Sequence, residues 1–417
     1  MTSQGFVNFA EILKGHLTVT ADSPQKLLVL DPGMAQSFGH HYAYNHVLQS
    51  RCTAQKRESR FLFSQHLPAE LLSEFSGGRA VLSWKLYSPP QLTGVSPTAA
   101  VRHAAEALAA DLHAHAGAES DPETLVFAHT LDPTALYGIA LWHAALPAAK
   151  RPSLALNLMI GMTDSPQCRA TLEPSCALLR QTGQARLFGG SKGSARLLSA
   201  IFGKECPMLP TPLPERFACF QTDVCPEQPV FGIIGDARQG KNLHILPPAI
   251  LRYLATGGQG RFHIQLTPTD EALTPVMLAL HDISQDYPQQ VRLDLSHLDQ
   301  IDYYRCLAGF TALIIPYSAE DYHVYRPSGP VIESAALGVP ILACAGGFAE
   351  EELAPLDNGS LFMANASPKE LALAFSRFER EKDSRKAKAA TARPGYAASH
   401  GADAVMRLIG MDGARSG

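Results

Sequence analysis

The chain has 417 residues, a formal net charge of −4, 46% hydrophobic residues and 18% charged residues, a balance that supports compact folding and excludes a disordered chain. The near-neutral total gives no global attraction to nucleic acid or to an acidic membrane, and the length suits two or three domains rather than one core. The eight cysteines, Cys52, Cys168, Cys176, Cys206, Cys219, Cys225, Cys306 and Cys344, form no CxxC pair and read as small buried residues of a reducing compartment, not as disulfides or a zinc site.

Before Gln25, the spacing of Phe6, Phe9, Ile12 and Leu13 predicts a short amphipathic helix packed on the body. That segment lacks the early positive charge and long apolar run of a secretory signal. The most apolar long stretch, Thr134 to Ala149, is interrupted by His143 and Pro147 and is too short to span a bilayer. A cytoplasmic protein is expected, with attachment to the inner membrane face left open.

The first clear strand is Lys26 to Leu30, followed by Asp31-Pro32-Gly33 and a helix starting near His40. Strands follow at Arg60 to Phe63, Ala80 to Trp84, Leu125 to Ala128, Ser153 to Leu158 and Ala185 to Phe188. Helical patterns lie between them at Ala99 to Ala116, Pro133 to Ala149, Glu173 to Arg180 and Ser191 to Phe202. Such alternation predicts a mostly parallel sheet covered on both faces. Four prolines then fall in the eight residues Pro207 to Pro214, which makes a stiff linker rather than an interior strand or helix.

Alternation resumes with strands at Val230 to Ile234, Phe262 to Leu266, Val291 to Leu293, Ala312 to Ile315 and Ile341 to Cys344. Helices are predicted at Leu243 to Ala255, Thr274 to Ser284, Ile301 to Leu307, Pro330 to Leu337 and Pro368 to Phe378. The fold class is therefore α/β with two Rossmann-like domains. Residues 1–210 form the first, 211–228 the proline-rich linker, 229–385 the second, and 386–417 a charged helical tail with a path back to the first domain.

Chemistry concentrates in two stretches of the second half. After its first strand comes Gly235-Asp236-Ala237-Arg238-Gln239-Gly240-Lys241-Asn242, which puts two cations at the carboxyl edge of a parallel sheet, where open α/β sheets bind ligands. An arginine forks two phosphate oxygens and a lysine adds a mobile point charge, so the pair can offset a diphosphate. In Tyr325-Arg326-Pro327-Ser328-Gly329-Pro330, Ser328 reads as an N-cap and Gly329 admits an anion to the helix start. Glu333, four residues after Gly329, can take two hydroxyls of a ribose above that anion site. No GxGxxG fingerprint, no Asp-x-Asp metal motif and no pair of glycosidase-like carboxylates is visible, so neither a metal nor a cofactor is implied.

These motifs, with His297-Leu298-Asp299-Gln300-Ile301-Asp302-Tyr303-Tyr304 and Ala312 to Tyr317, resemble a retaining glycosyltransferase of the GT-B fold, in the large family 4 group. The resemblance covers most of residues 230 to 365. It implies a nucleotide-diphosphate sugar as donor and a glycan, lipid or protein as acceptor. Gly235, Arg238, Lys241, Tyr325, Arg326, Ser328, Gly329 and Glu333 would bind the donor, with Arg238 and Lys241 stabilising the leaving nucleotide and His297-Leu298 flanking the base. Gly39, His40 and His41 would face the acceptor, and His129 would hydrogen-bond donor sugar or acceptor. Where the family often has an acidic residue eight positions before the ribose-binding glutamate, this chain has Tyr325, so Asp321 or Glu320 would have to reach in instead. Two other readings use the same binding residues, a nucleotide-sugar epimerase of this fold and a non-catalytic nucleotide-sugar-binding subunit.

Overall fold

The computed structural model describes residues 24, 26–37, 39–87, 96–117, 121–220 and 226–411. The amphipathic segment expected before Gln25 lies outside the described residues. Two six-stranded sheets organise the rest, and every strand pair in both is parallel.

The N-terminal sheet contains β1 (Lys26–Asp31), β2 (Glu58–Ser64), β3 (Gly78–Leu82), β4 (Thr124–Leu131), β5 (Ser153–Leu158) and β6 (Ala185–Gly189) in the order β3-β2-β1-β4-β5-β6. The crossovers include α1 (Gly39–Ala54), α2 (Ala69–Leu72), α3 (Pro97–His115), α4 (Pro133–Ala145), α5 (Pro166–Thr182) and α6 (Lys192–Phe202). β4 is buried along its whole length, as a central strand covered by helices on both faces must be.

The C-terminal sheet repeats the plan with β7 (Val230–Ala237), β8 (Arg261–Pro268), β9 (Val291–Asp294), β10 (Ala312–Ile315), β11 (Ile341–Cys344) and β12 (Leu361–Met363), ordered β12-β11-β10-β7-β8-β9. Its helices are α7 (Leu246–Ala255), α8 (Thr274–Asp286), α9 (Gln300–Ala308), α10 (Gly329–Leu337), α11 (Phe348–Leu353) and the long α12 (Pro368–Ser399). The chain direction of strand addition reverses between β1 and β4 in one sheet and between β7 and β10 in the other. Those two switch points are where a parallel sheet opens a crevice at its carboxyl edge. The result is the GT-B architecture, two Rossmann-like domains facing across a cleft.

Several boundaries differ from expectation. α5 begins at Pro166, not Glu173, because the Ser165 hydroxyl caps it from Cys168 N–H at 3.2 Å and the helix carries Pro174 in its interior. α12 continues past Phe378 to Ser399 and contains Pro394; charged residues with good helix propensity sustain the turns beyond the two buried phenylalanines. α11 and β12 have no expected counterpart, since both are too short to show a period. Pro207 to Leu209 run beside β6, with Leu209 N–H donating to the Gly189 carbonyl at 2.9 Å. Leu213 and Phe217 then pack in the C-terminal core, so the proline-rich stretch is fixed at both ends. A final helix, α13 (Ala402–Ile409), returns to the N-terminal half and places Val405, Met406 and Ile409 in a core shared with Leu27, Val29 and Leu48.

Candidate functional site

β7 delivers its loop at the C-terminal switch point. Gly235 takes φ +104°, a left-handed value that favours glycine, and a Cβ there would sit 3.6 Å from Lys241 Nζ. Lys241 is 6% exposed, and its ammonium donates to the Asp236 carbonyl at 2.7 Å and lies 5.9 Å from the Tyr317 ring centre. Burial, then the nearby Arg238 and Arg326 charges, lower its pKa to about 8. Arg238 donates to the Tyr322 hydroxyl at 3.0 Å, and Arg326 lies over the Tyr322 ring at 4.2 Å while donating to the Asp321 carbonyl at 3.1 Å. Three cations therefore share one sheet edge, and among the described residues none of them forms an ion pair with a carboxylate. Clustered like charges of this kind lack only an anion to be favourable.

The second loop follows β10 at the same switch point. Asn242 Nδ2 donates to the Pro316 carbonyl at 3.0 Å and joins the two loops. Ser328 stands at the N-cap of α10, as expected, although its side chain makes no capping bond. The helix start is thus left with unsatisfied N–H groups, and Gly329 is exposed beside it. A Cβ on Gly329 would lie 4.0 Å from both carboxylate oxygens of Glu333, which places that carboxylate directly over the helix start. The Tyr303 hydroxyl donates to Glu333 Oε2 at 2.8 Å. Burial raises the Glu333 pKa to about 7 against the opposing effect of that hydrogen bond.

Gln265 completes this half. It is 2% exposed, accepts from Gly235 N–H at 3.1 Å and donates to the Ser296 carbonyl at 2.6 Å, tying the cation loop to the loop that carries His297 and Leu298. His297 is exposed there, and Leu298 is half-buried against the C-terminal core.

At the N-terminal switch point, Asp31 ends β1 and is completely enclosed. Its Oδ1 accepts from Gly33 N–H at 3.0 Å and from His41 Nδ1 at 2.7 Å. Its Oδ2 accepts from Asn45 Nδ2 at 2.6 Å and from His129 Nε2 at 3.2 Å. Burial alone would protonate this carboxyl, yet His41 and His129 hold it well below the ordinary range. Asp31, His41 and His129 also bring ligand-type atoms within 4.8 Å of one another; the spacings are those of hydrogen bonds, and four donors already satisfy the carboxylate. His41 Nε2 meets the Tyr87 hydroxyl at 2.8 Å, with His40 Nε2 at 3.5 Å from the same oxygen. Gly33 is required here, since a Cβ would lie 2.3 Å from the His41 ring.

The expected residues thus fall into two groups at facing sheet edges, with two corrections. His129 is fully buried, stacked on Tyr44 at 4.4 Å, with Nδ1 bonded to the Thr130 hydroxyl at 2.9 Å. It supports Asp31 and does not reach the cleft. Tyr325, expected at the donor, packs its ring against the N-terminal core, because the segment before Ser328 is held by α6. Ser191 Oγ donates to the Val324 carbonyl at 2.6 Å and Ser194 Oγ to the Tyr325 carbonyl at 3.2 Å. Asp321 closes its own turn through Ser318 at 2.8 Å, beside Gly240. Gly39, with φ +83°, and half-buried His40 open α1 toward the cleft side of this cluster. Asp31, Tyr87, Gln265 and the Tyr303 contact were not read as site features, and only the end position of Asp31 on a strand gave any local signal.

No family model matches the chain, and no curated protein matches it either. Among solved structures, it is similar to the N-terminal domain of trehalose-6-phosphate phosphatase from Candida albicans, with 11% identity, TM-score 0.65 and 94% of this chain and 97% of that one covered. It is also similar to sucrose-phosphate synthase from Thermosynechococcus elongatus, with 16% identity, TM-score 0.61 and coverage of 93% and 97%. A UDP-forming α,α-trehalose-phosphate synthase from Burkholderia vietnamiensis shares 12% identity at TM-score 0.61, with 92% and 99% covered. At these identities the likeness is one of fold.

Proposed function

We propose that the chain is a glycosyltransferase that moves a sugar from a nucleotide-diphosphate sugar to a hydroxyl of a glycan, lipid or protein acceptor, with retention of configuration. The observation that carries this reading is the convergence of Arg238, Lys241 and Arg326, none ion-paired with a carboxylate among the described residues, with Glu333 over the start of α10. A diphosphate satisfies the cations and the helix start, and a ribose presents two hydroxyls to the carboxylate. The solved structures of like fold include a sucrose-phosphate synthase and a trehalose-phosphate synthase named as UDP-forming, which agrees with this reading.

In the reaction, the bond from the sugar's anomeric carbon to the diphosphate breaks and a bond from that carbon to the acceptor oxygen forms. The departing diphosphate takes the acceptor proton on the same face, and the negative charge it gains is stabilised by Arg238 and Lys241. Three side-chain cations supply that charge without a divalent ion. Of the described cysteines, Cys52, Cys168, Cys176, Cys206 and Cys344 are buried as free thiols, whereas Cys306 is half-buried and Cys219 exposed, contrary to the expectation of uniformly buried cysteines; free thiols suit a reducing cytoplasm. No described helix is long and apolar enough to cross a membrane.

The double variant Arg238→Ala/Lys241→Ala should lower nucleoside diphosphate release from the preferred nucleotide-sugar by roughly 100-fold or more, with an unchanged melting profile, while EDTA leaves the wild type active. Undiminished transfer by the double variant would remove the basis of the assignment.

A further inference from the structure

Tyr87 has no role in the reading above, yet it connects the two switch points. Its side chain is 55% exposed, while its hydroxyl sits on His41 Nε2 at 2.8 Å. Behind it, Asp31 fixes His41 through Nδ1 at 2.7 Å, and Gly33 leaves the imidazole its space. The hydroxyl is therefore held from behind by a two-link chain, with His40 Nε2 3.5 Å to its side, while much of the residue stays exposed. Protein crowding around the hydroxyl and then the Asp31 charge push the Tyr87 phenol up, whereas the Arg238 guanidinium, from the other half of the molecule, pulls it down. Arg238 is thus an electrostatic neighbour of this hydroxyl across the cleft.

The chemistry of the missing partner follows from hydrogen-bond inventory. A phenol has one O–H donor and two acceptor lone pairs. When His41 is neutral, Nδ1–H goes to Asp31 and Tyr87 donates to Nε2, which leaves lone pairs facing the cleft. When His41 is an imidazolium, Nε2–H donates to Tyr87, and its O–H is free to turn to His40 Nε2, 3.5 Å away, or outward to a ligand. A phosphate only accepts and an ammonium only donates, so each fits one state alone. A ligand hydroxyl does both and completes either.

We propose that Tyr87 is an acceptor-positioning residue, whose hydroxyl, seated on the Asp31–His41 pair, takes the hydrogen bond of the acceptor's reacting hydroxyl beside the diphosphate bound at Arg238. The inference rests on the glycosyl-transfer reading. Its preference is for a neutral alcohol of a sugar at this point, with any charged part of the acceptor lying elsewhere.

The test uses the full chain. Thermal shift with UDP, GDP, ADP and dTDP selects the nucleotide, and release of that nucleotide from its glucose derivative is followed with glucose, glucose 6-phosphate, fructose 6-phosphate, glycerol and water as acceptors. Tyr87→Phe keeps the ring and should raise the KM for the best acceptor about tenfold, the scale of one lost hydrogen bond with a partner left unsatisfied. Donor KM and the nucleotide-induced thermal shift stay as in the wild type, a split that a general loss of folding does not produce. An unchanged acceptor KM, or a parallel loss of donor binding, overturns the assignment of Tyr87 and leaves the glycosyl-transfer reading standing. A wild type that releases no nucleotide with any acceptor or with water overturns both.

Discussion

Glu333 and Lys241 respond to the same physical cause in opposite senses. Removal from water disfavours whichever form is charged, so it raises the carboxyl to about 7 and lowers the ammonium to about 8. A ribose donates its hydroxyls best to a carboxylate, and a diphosphate needs the ammonium. Donor affinity should therefore rise with pH up to about 7 and fall again above about 8, giving a narrow optimum between them, visible in KM for a nucleotide-sugar whose own diphosphate does not titrate in that range. Glu333→Gln should flatten the acid limb, and Tyr303→Phe should move it upward because the lost hydrogen bond favours the ionised form. An acid limb that persists in Glu333→Gln would take the ribose role away from that residue. Arg238, Lys241 and Glu333 were legible in the sequence because each belongs to a motif with fixed local spacing. Gln265 and Tyr87 were not. Their partners lie 30 and 46 residues away, and only the register of parallel strands brings them together.

Helix starts do much of the positioning at the scale of elements. The first turn of α6 meets the donor loop so closely that a Cβ on Gly193 would lie 2.7 Å from the Val324 carbonyl oxygen. Gly193 N–H also donates to Glu351 Oε2 at 3.1 Å, and the Lys192 ammonium reaches the Glu351 and Glu352 carbonyls at 3.2 and 3.3 Å. Gly193→Val should force Val324 away and carry Arg326 and Ser328 with it. The expected outcome is a donor affinity lower by about tenfold, for a displaced charged hydrogen bond, from a residue in the opposite half of the chain. Titration of the variant with nucleotide measures it, and wild-type affinity would show that α6 does not hold the loop. Continuous apolar runs bounded by turn residues or caps, such as β1, β4 and α4, were readable from pattern. α11 and β12 were hidden by their six and three residues, and the N-terminal end of α5 by an interior proline that normally marks a break. Tyr325 was misplaced for a related reason. A motif fixes spacing along the chain, whereas the direction of a loop side chain depends on what the opposite domain presents.

Two sheets of identical strand order face each other with their switch points opposed, one carrying three cations and the other an enclosed carboxylate with two histidines. Such a site exists only when the halves are in register, and the chain secures that register in three places. The contact of α6 with the donor loop is one. The proline-rich connection, anchored beside β6 and again by Leu213 in the C-terminal core, is the second. The third is α13, which follows α12 out of the C-terminal half and buries Val405, Met406, Ile409 and Met411 at 2% exposure or less in the N-terminal core. Arg57 adds a hydrogen bond to the Met411 carbonyl at 2.7 Å. Four buried apolar side chains at roughly 1.5–3 kcal/mol each, discounted for compaction of the unfolded chain, still leave about 5 kcal/mol tied to this helix. Ending the chain at Gly401 should consequently lower the melting temperature of the N-terminal half by more than about 10 °C and separate its transition from that of the C-terminal half in calorimetry. Nucleotide affinity should survive, since every donor-site side chain proposed here lies in the second domain, whereas transfer to the acceptor should fall because Tyr87 and Arg238 no longer hold a common geometry. If the shortened chain melts in one transition at the wild-type temperature, α13 is a passenger and the register of the halves is set by α6 and the linker alone.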